Sequence, residues 1–463
     1  MKIVMIASEV VPFAKTGGLA DVVGALPVAL EKLGEEAIVI MPGYKCVHTV
    51  KNPQVKSFTE GISYSKIGKN VLVYFIENKE YFDRDGLYGD KTGDYKDNLE
   101  RFSYFCKKAL ELLKQIKFKP DIIHCHDWQS ALIPVYLKNP LAEDPFFVKT
   151  RTVFTIHNLG YQGLFPKEEL PKTGLDWGVF NMEMLEYYDK INVLKGGLVF
   201  SDIITTVSPT YSQEIQTKEF GFGLEGVLAK RKDRLYGILN GLDYTIWDPA
   251  KDTKIAANFS TKDISGKAKC KEDLQKICNL PVKKSVPLIG VVSRLAEQKG
   301  FDIVAEAIDE ICHLDIQMVI LGTGDLKYHQ IMEQMAKKYP KVISLHLKFD
   351  DTLAHKIYAG SDMFLMPSKY EPCGLGQMIS FRYGSVPIVF KTGGLADTVN
   401  DKNGYIFDVY SKERLLQTLK KAVKDFKLKK KWNQLIQQGM KENFSWATSA
   451  KKYQKIYEKA MSL

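Results

Sequence analysis

The sequence has no apolar run near the roughly 18 residues that a membrane-spanning helix requires. Its opening stretch, Met1 to Ala7, is apolar but soon meets Ser8, Glu9 and Pro12, so we expect a buried strand there and no signal peptide. Cysteine is scarce as well: the seven residues form no C-x-x-C pair and leave an odd number, which argues against a disulfide framework. We therefore expect a cytoplasmic protein that does not enter a membrane.

Acidic residues are rare at the carboxyl end of the chain. Residues 409–463 hold 14 lysines and arginines but only four acids, and this segment carries the whole net charge of +10. Such a charge is also typical of nucleic-acid binders. Here the lysines alternate with Leu, Ile, Trp and Tyr at amphipathic spacing, so we interpret them as solvated helix faces. Deletion of residues 441–463 that abolished only RNA or DNA retention would favour the nucleic-acid alternative.

The length and the periodicity of the sequence predict two α/β domains. A chain of 463 residues exceeds the roughly 250–300 residues at which single cores stop growing. Short β-rich segments alternate with helical patterns, which is typical of parallel sheets. A Lys-rich stretch after residue 243 interrupts the alternation and places a boundary near residues 240–245. We predict strands at residues 2–7, 37–41, 71–76, 122–124, 152–156, 203–206, 237–239, 287–292, 317–321, 342–345, 363–366 and 386–389. We predict helices at residues 19–33, 97–116, 129–137, 188–199, 209–217, 300–312, 325–338, 352–359, 374–383 and 394–400, and a hairpin excursion within residues 43–70.

One motif occurs twice, as Lys15-Thr16-Gly17-Gly18-Leu19-Ala20-Asp21 and as Lys391-Thr392-Gly393-Gly394-Leu395-Ala396-Asp397. Each copy follows a predicted strand and opens a predicted helix. Glycines at such a joint let backbone N–H groups approach a phosphate, and Lys15 adds a positive charge. The alternative is a structural turn with a solvated lysine. The repeat supports two paired lobes and does not imply two active sites.

Charged residues follow two predicted strands of the second half. Arg294 and Lys299 come after residues 287–292, at the edge where open parallel sheets bind ligands, and could hold a diphosphate or simply cap the surface. Glu371 lies in Pro-Ser-Lys-Tyr-Glu-Pro-Cys-Gly-Leu-Gly after residues 363–366, where it is either a catalytic carboxylate beside an anion-binding helix start or only a helix-start charge. Cys373 fits a small buried thiol better than a nucleophile.

Histidines cluster in the first half. His157 ends a predicted strand and is well placed to hydrogen-bond a substrate, with a satisfied structural histidine as the alternative. The segment His124-Cys125-His126-Asp127-Trp128 does not indicate a metal site, because consecutive strand residues point to opposite faces and no second ligand set is present. Gly221-Phe222-Gly223-Leu224-Glu225-Gly226 matches G-x-G-x-x-G, but no strand precedes it, so no NAD site is expected.

Taken together and in this order, these residues resemble the bacterial glycogen synthases and plant starch synthases. The resemblance covers essentially the whole chain. Its most specific parts are Lys15–Leu19, His126-Asp127-Trp128, Thr155-Ile156-His157-Asn158, Asn240-Gly241-Leu242-Asp243, Ser293-Arg294-Leu295 with Lys299-Gly300, and Glu371–Leu375 with Thr392-Gly393-Gly394-Leu395.

The resemblance implies a GT-B fold, in which two Rossmann-like doubly wound lobes face each other across a cleft. It implies an acceptor lobe over residues 1–243, a donor lobe over 244–440 and a helix over 441–463 that crosses back. The implied enzyme is a hexosyltransferase that moves glucose from ADP-glucose to the non-reducing end of an α-1,4-glucan, such as glycogen or a malto-oligosaccharide primer, with retained configuration and without metal or other cofactor.

Roles carry over from the family by position. Catalytic roles fall on Glu371, His157, Arg294 and Lys299, with the two cations neutralising the departing ADP. The donor would be bound by Lys15, Gly17, Gly18, Asp21, Phe349, Cys373, Gly374 and Leu375, and the acceptor by Asp127 and Tyr88. Phe349 stands where the family usually stacks a tyrosine on adenine, and Gly376 stands where many members have a threonine.

Three alternatives remain at this point. Another GT-B enzyme with a different donor or acceptor is the nearest one, although Lys15–Leu19 and Glu371–Leu375 favour a glucan synthase. A catalytically silent glucan-binding protein is a second, but it would not need Lys15, His157, Arg294, Lys299 and Glu371 together. The nucleic-acid binder built on the basic carboxyl end is the third.

Overall fold

Contacts divide the chain into two units in the computed structural model, which describes residues 1–50 and 53–463. Unit 1 comprises Met1–Gly241 together with Trp446–Leu463, and unit 2 comprises Leu242–Ser445. The strands of unit 1 are β1 (Lys2–Ile6), β2 (Glu36–Pro42), β3 (Lys56–Thr59), β4 (Ile62–Ile67), β5 (Val71–Ile76), β6 (Gly89–Asp90), β7 (Gly93–Asp94), β8 (Ile122–His126), β9 (Arg151–Ile156), β10 (Leu164–Pro166), β11 (Glu186–Tyr187), β12 (Lys190–Asn192), β13 (Ile203–Thr206) and β14 (Leu235–Gly237). Its helices up to this point of the chain are α1 (Gly18–Glu31), α2 (Lys79–Phe82), α3 (Asn98–Gln115), α4 (Leu132–Lys138), α5 (Leu170–Thr173), α6 (Val193–Phe200), α7 (Pro209–Glu214) and α8 (Glu225–Lys230).

Unit 2 alternates strands and helices more regularly than unit 1. Its helices are α9 (Gly266–Ile277), α10 (Phe301–Cys312), α11 (Leu326–Lys338), α12 (Asp351–Gly360), α13 (Gly376–Arg382), α14 (Gly393–Thr398), α15 (Lys412–Phe426) and α16 (Lys429–Lys441). Its strands are β15 (Leu288–Val292), β16 (Gln317–Leu321), β17 (Ile343–His346), β18 (Met363–Met366), β19 (Val386–Phe390) and β20 (Tyr405–Phe407). The last helix of the chain, α17 (Trp446–Met461), belongs to unit 1.

The main sheet of unit 1 has the strand order β14-β13-β9-β8-β1-β2-β5-β4-β3. The strands from β14 to β5 run parallel, and β4 and β3 continue the sheet antiparallel. From the central β1 the chain builds outward to β2 on one side and later to β8 on the other. The order therefore reverses between β1 and β8, and ligands bind at such switch points, beyond the carboxyl ends of the strands.

The sheet of unit 2 has the order β17-β16-β15-β18-β19-β20, and its paired strands are all parallel. Its strands are almost entirely buried, as expected for a sheet with helices on both faces. The order reverses between β15 and β18. The loops that follow these two strands carry Arg294, Lys299 and Glu371.

Most predicted elements agree with the structure to within a residue or two. The hairpin predicted within residues 43–70 is formed by β3 and β4; residues 51 and 52 of that range lie outside the described residues. Strand β14 begins at Leu235, two residues before the predicted start. The helix predicted over 188–199 was wrong in its first half, because Lys190–Asn192 pair as strand β12 and the helix begins at Val193 under an Asn192 cap. The polar stretch after residue 243 contains helix α9, which the sequence analysis did not predict.

Helix α17 packs within unit 1, more than 200 residues from the segment it contacts. Tyr453 and Tyr457 are fully buried, and the Tyr457 hydroxyl lies 2.8 Å from Nδ1 of His124 on β8. The ring of Trp446 packs on Gly241, where a Cβ atom would lie 2.7 Å from ring carbons. Among the described residues no helix is long and apolar enough to cross a membrane.

Candidate active site

The candidate residues of unit 1 gather at the carboxyl edge of its sheet, at the switch point between β1 and β8. Residues 7–9 follow β1, Asp127 follows β8, and His157 follows β9. The first copy of the repeated motif crosses this edge and leads into α1. Hydrogen bonds connect several of these side chains directly.

Glu9 organises the loop that carries Lys15. Its carboxylate accepts hydrogen bonds from the Thr16 hydroxyl at 2.6 Å, from the backbone N–H of Thr16, and from the backbone N–H of Gly17 at 3.3 Å. It also accepts the hydroxyl of Tyr88 at 2.6 Å. This carboxylate is 4% exposed, so the chain places its own anion against amides of the glycine loop. Glu9 was not predicted as a site residue, although an acid directly after an apolar strand at the ligand-binding edge is a signal for one.

Lys15 is also paired in the structure. Its ammonium donates to Oδ1 of Asp21 at 2.7 Å, with half of the lysine side chain exposed. Burial raises the pKa of the Asp21 carboxyl, and the positive charge of Lys15 opposes that shift. Asp21, which the resemblance places among the donor-binding residues, thus also holds the Lys15 ammonium in position.

Asp127 combines an unusual backbone with a buried carboxyl group. Its φ of 55° and ψ of −178° lie in a region that is essentially reserved for glycine. The backbone N–H of His157 donates to its Oδ1 at 2.7 Å, and its own N–H donates to Thr155 at 3.0 Å. Burial raises the pKa of this carboxyl to about 7, against the hydrogen bonds from the backbone of His157 and Asn158. A strained backbone and a carboxyl group with a raised pKa at the same residue are typical of functional sites.

His157 ends a row of three histidines, of which His124 and His126 are fully buried and His157 is half-buried. Its Nε2 lies 3.0 Å from Nδ1 of His126, whose ring stacks near that of His124, and His124 contacts Tyr457 of α17. Burial lowers the pKa of His157 and of His124 to about 3 and lowers that of His126 well below its usual value, so all three rings are neutral at pH 7. Nε2 of His126 is buried and has no partner among the described residues.

The unpaired Nε2 of His126 indicates which ring nitrogen of His126 and of His157 carries the proton. A buried N–H without an acceptor is rarer in proteins than an under-used acceptor. This places the proton of His126 on Nδ1, from which it donates to Nε2 of His157. The proton of His157 then lies on Nδ1, and the ring offers an N–H on the side away from His126.

In unit 2 the structure brings Lys299 and Glu371 together. The Lys299 ammonium lies 2.6 Å from Oε2 of Glu371, which also accepts the Ser368 hydroxyl at 3.0 Å. The side chain of Glu371 is 8% exposed and that of Lys299 is 19% exposed. Lys299 also lines a small cavity at the switch point, together with Ser293, Ser368 and residues of β15, β16, β18 and α10.

Arg294 is exposed and reaches the same loop through a neighbour. Its Nη2 donates to Gln298 at 3.2 Å, and the backbone carbonyl of Gln298 accepts the N–H of Lys369 at 2.9 Å. Phe349, which follows β17 at the carboxyl edge of the sheet, is 91% exposed. Its ring is therefore accessible to a planar group such as a base.

The two copies of the repeated motif differ in what surrounds their glycines. A Cβ atom at Gly17 or Gly18 would meet nothing within 4 Å. At Gly393 and Gly394 it would lie 2.0 Å from the carbonyl oxygens of Glu371 and Cys373, respectively. The first copy is thus open to a ligand, whereas the second copy supports the loop that holds Glu371.

The remaining predicted residues lie in that supported loop. Cys373 is buried, Gly374 has a φ of +72° that favours glycine, and Leu375 precedes the short helix α13. At Gly376 a Cβ atom would lie 2.9 Å from the sulfur of Met366 and 3.0 Å from Phe364. The threonine found here in many glycogen and starch synthases would therefore displace Met366. Among the described residues no group of three or more His, Cys, Asp or Glu side chains could hold a metal ion.

Two parallel α/β units with their charged residues at the switch points define the class as GT-B glycosyltransferases. Residues 2–230 match the family model described as starch synthase catalytic domain, and residues 275–439 match the model of glycosyl transferases group 1. A glycogen synthase from Geotalea uraniireducens (strain Rf4) is 49% identical, covering 100% of this chain and 99% of the relative. The chain therefore belongs to the glycogen and starch synthase family.

Solved structures agree with this assignment. The catalytic domain of starch synthase IV from Arabidopsis thaliana, bound to ADP and acarbose, aligns with a TM-score of 0.90 at 36% identity and covers 100% of this chain and 99% of that one. A sucrose-phosphate synthase from Thermosynechococcus elongatus aligns with a TM-score of 0.65 at 17% identity over 100% of this chain and 99% of that one, and shows the fold alone.

Proposed function

We propose that this chain transfers glucose from ADP-glucose to the non-reducing end of an α-1,4-glucan, retains the anomeric configuration and releases ADP. The observation that carries the proposal is the buried Glu371–Lys299 ion pair at the switch point of unit 2, in a chain of this family. The starch synthase IV structure contains ADP and acarbose, which supports an adenine nucleotide donor and a glucan acceptor.

Unit 2 supplies the proposed binding of the leaving group. Lys299 and Arg294 follow β15 and neutralise the charge that develops on the departing ADP, so the reaction needs no metal ion or other cofactor. Phe349 stacks on the adenine ring. Glu371, held by Lys299 and Ser368, accepts hydrogen bonds from the glucose hydroxyls near the reacting carbon. Cys373, Gly374 and Leu375 present their backbone to the donor.

Unit 1 supplies the proposed contacts to the transferred sugar and the acceptor. Lys15, Gly17 and Gly18 approach the donor, and Asp21 orders Lys15. His157 is neutral and donates from Nδ1 to a sugar hydroxyl, so no positive ring opposes the charge that develops at C1. Asp127 faces the acceptor, and Tyr88 acts through Glu9, to which its hydroxyl is bonded.

The proposed compartment is the cytoplasm. The seven cysteines, six of them buried, form no C-x-x-C pair and leave an odd number, which supports a reducing environment. The proposed partners are ADP-glucose and glycogen or malto-oligosaccharide primers, with no nucleic acid and no membrane. A related enzyme that uses UDP-glucose is the nearest competing hypothesis.

The test offers labelled ADP-glucose or UDP-glucose with glycogen, in buffer with EDTA, to the wild type and two variants. We expect incorporation chiefly from ADP-glucose. Glu371→Gln loses the buried carboxylate and is expected to lower kcat by on the order of 100-fold or more with the fold intact. Glu297→Gln removes an exposed acid on the neighbouring loop and serves as the matched control.

Four outcomes would contradict the proposal. Failure of the wild type to incorporate label from either donor would exclude glucan synthesis. Preference for UDP-glucose would mean that UDP-glucose, and not ADP-glucose, is the donor. Near-normal turnover of Glu371→Gln would remove this carboxylate from the reaction, and activity that requires an added divalent ion would reject the metal-free mechanism.

A further inference from the structure

The loop of residues 15–18, which carries Lys15 and two glycines, is held by hydrogen bonds and not by packing. All four residues are exposed, and a Cβ atom at Gly17 or Gly18 would meet nothing within 4 Å. The ion pair of Lys15 with Asp21 is itself largely open to solvent, and such pairs contribute little to order. The conformation of this loop therefore depends on the buried group that accepts its hydrogen bonds, the carboxylate of Glu9.

Glu9 accepts four hydrogen bonds from neutral groups within the part of the chain that the structure describes. Its Oε2 accepts the backbone N–H of Thr16 and, at 3.3 Å, that of Gly17. Its Oε1 accepts the hydroxyls of Thr16 and Tyr88, each at 2.6 Å. One oxygen of Glu9 thus holds the backbone of the loop, and the other holds two hydroxyl groups.

The Tyr88 hydroxyl reaches Glu9 from a segment that is anchored on helix α3. The Asn98 amide donates to the carbonyl of Tyr88 at 2.9 Å, and the guanidinium of Arg101 donates to the carbonyl of Leu87 at 3.1 Å. Arg101 is fully buried and also donates to the side chain of Asn98 at 2.7 Å. Glu9 therefore connects an exposed loop to a firmly held segment 79 positions away.

We propose that Glu9 is a positioning residue, which holds the Lys15 loop and Tyr88 in one arrangement by the geometry of its two oxygens and not by its charge. The inference rests on the proposed function, which assigns the Lys15 loop to the donor and Tyr88 to the acceptor. A loop that is fixed in advance loses less conformational entropy when a ligand binds. A change on the Tyr88 side is then expected to weaken donor binding, although Tyr88 is assigned to the acceptor.

Glutamine at position 9 keeps this geometry and removes the charge. Its carbonyl oxygen can replace Oε2 as the acceptor of the two backbone N–H groups, and its NH2 group can donate to the two hydroxyl oxygens that Oε1 now holds. Alanine removes both oxygens and leaves the N–H groups of Thr16 and Gly17 without this acceptor. The two variants therefore separate geometry from charge.

The experiment compares the full chain as wild type, Glu9→Gln, Glu9→Ala, Tyr88→Phe, the double variant of Glu9→Ala with Tyr88→Phe, and Glu100→Ala. Glu100 is the matched control, because this acid of α3 also accepts a tyrosine hydroxyl, that of Tyr81 at 2.7 Å. ADP binding is measured by calorimetric titration, and kcat and KM for ADP-glucose are measured by transfer to glycogen. Amide hydrogen exchange of residues 15–18 in the ligand-free protein reports on the loop directly, and the melting temperature verifies the fold.

We expect Glu9→Ala to weaken ADP binding and to raise KM for ADP-glucose by on the order of tenfold, with a smaller change in kcat. Amide exchange of Thr16 and Gly17 accelerates in the same variant. Glu9→Gln stays within about threefold of the wild type in these measurements, and Glu100→Ala does not differ from it. Tyr88→Phe raises the Kd of ADP by about threefold in the wild-type background and no further in Glu9→Ala.

ADP binding as weak in Glu9→Gln as in Glu9→Ala would show that the charge matters and would overturn the inference. Wild-type affinity and exchange in Glu9→Ala would overturn it as well, as would a Tyr88→Phe variant that binds ADP normally or loses the same affinity in both backgrounds. If Glu9→Ala does not fold, Thr16→Val replaces it beside Tyr88→Phe, because it removes a bond to the same Oε1 from the loop side. If no donor supports transfer and ADP does not bind, the proposed function fails, yet amide exchange still decides whether Glu9 holds the loop.

Discussion

Asp127 combines features that lower the stability of the fold with a position in the candidate active site. Its backbone lies in a glycine-like region, a conformation that costs of order 1–3 kcal/mol. Its carboxyl group is buried against the N–H of His157, and burial raises its pKa to about 7. A fold selected for stability alone would place glycine or asparagine here. The residue is therefore best explained by the substrate contact proposed for it.

The raised pKa of Asp127 makes stability depend on pH. The folded carboxyl keeps its proton up to about pH 7, whereas the unfolded carboxyl loses it near 3.8, so the folded state binds more protons between these values. The free energy of unfolding of the wild type then falls as pH rises through this window. Asp127→Asn still accepts the His157 N–H but does not titrate. We expect its melting temperature to exceed that of the wild type by about 3 °C or more at pH 8 and by little at pH 4.

Asp144 provides a control, because its pKa is lowered and the expected change of stability with pH has the opposite sign. The ammonium of Lys114 bonds its carboxylate and lowers its pKa. Asp144→Asn removes an interaction that is present above the unfolded pKa, so this variant is expected to lose a little stability at pH 8 and none at pH 3. Differential scanning calorimetry of both variants across this range gives the comparison. A melting difference for Asp127→Asn that does not change with pH would contradict the assignment.

At the scale of elements, the repeated motif shows one sequence performing two tasks. Both copies join a strand to a helix, and α1 and α14 begin at the second and the first glycine, respectively. Only the second copy packs tightly, because the loop of Glu371 and Cys373 lies on its glycines. The repeat is visible in the sequence, but this difference is not, because it depends on which neighbouring loop packs against each copy.

This contrast predicts opposite results for matched substitutions. Gly394→Ala places a methyl group against the Cys373 backbone, which must move, and overpacking of this kind costs about 1–3 kcal/mol. The methyl group of Gly18→Ala would have no atom within 4 Å. Alanine also has less conformational freedom than glycine in the unfolded chain, so the stability of this variant is expected to match or slightly exceed that of the wild type. Its transfer activity is nevertheless expected to fall by on the order of tenfold, because the methyl group occupies space proposed for the donor.

Thermal melting and transfer assays separate the two effects. Loss of both stability and activity in Gly394→Ala, with loss of activity alone in Gly18→Ala, is the expected pattern. Full activity in Gly18→Ala would mean that no ligand approaches this glycine. An unchanged melting temperature in Gly394→Ala would mean that the Glu371 loop moves freely on its support.

Secondary structure was predicted well where a pattern was strong and local. Buried strands such as β1, β15 and β18 and amphipathic helices such as α10 were within a residue or two. The errors have tertiary causes: Lys190–Asn192 form a strand only because β10 pairs with them, and α9 lies in a polar stretch that buries Cys270 and Leu274 under α12. Neither pairing is visible in the local sequence.

Site prediction had similar limits at the scale of the whole molecule. His157, Arg294 and Glu371 could be named because parallel strands bring their carboxyl ends to one edge, whereas Asp127 was named only through the family resemblance. Glu9 and His126 were missed as site residues because their importance lies in which partner each one holds. The contact of His124 with Tyr457 links residues 333 positions apart and could not be read from spacing.

That long-range contact makes the end of the chain part of unit 1. Removal of residues 446–463 exposes the Gly241 surface under Trp446 and leaves Nδ1 of buried His124 without Tyr457, beside the ring that contacts His157. Each large side chain lost from a core costs about 3–5 kcal/mol. We expect the truncated chain 1–445 to lose the calorimetric transition of unit 1 at its normal temperature, to keep that of unit 2, and to lose transfer activity.

The same experiment decides whether packing or charge explains the basic carboxyl end. Lys451→Ala combined with Lys452→Ala removes two exposed charges from α17 and keeps its buried tyrosines. Because exposed lysines contribute little to stability, this double variant is expected to melt and to transfer glucose like the wild type. A synthetic peptide of residues 446–463 should partly restore the truncated chain if burial of Trp446, Tyr453 and Tyr457 is what unit 1 needs. Normal melting of 1–445, or loss of only nucleic-acid retention, would instead show that α17 is dispensable for the fold.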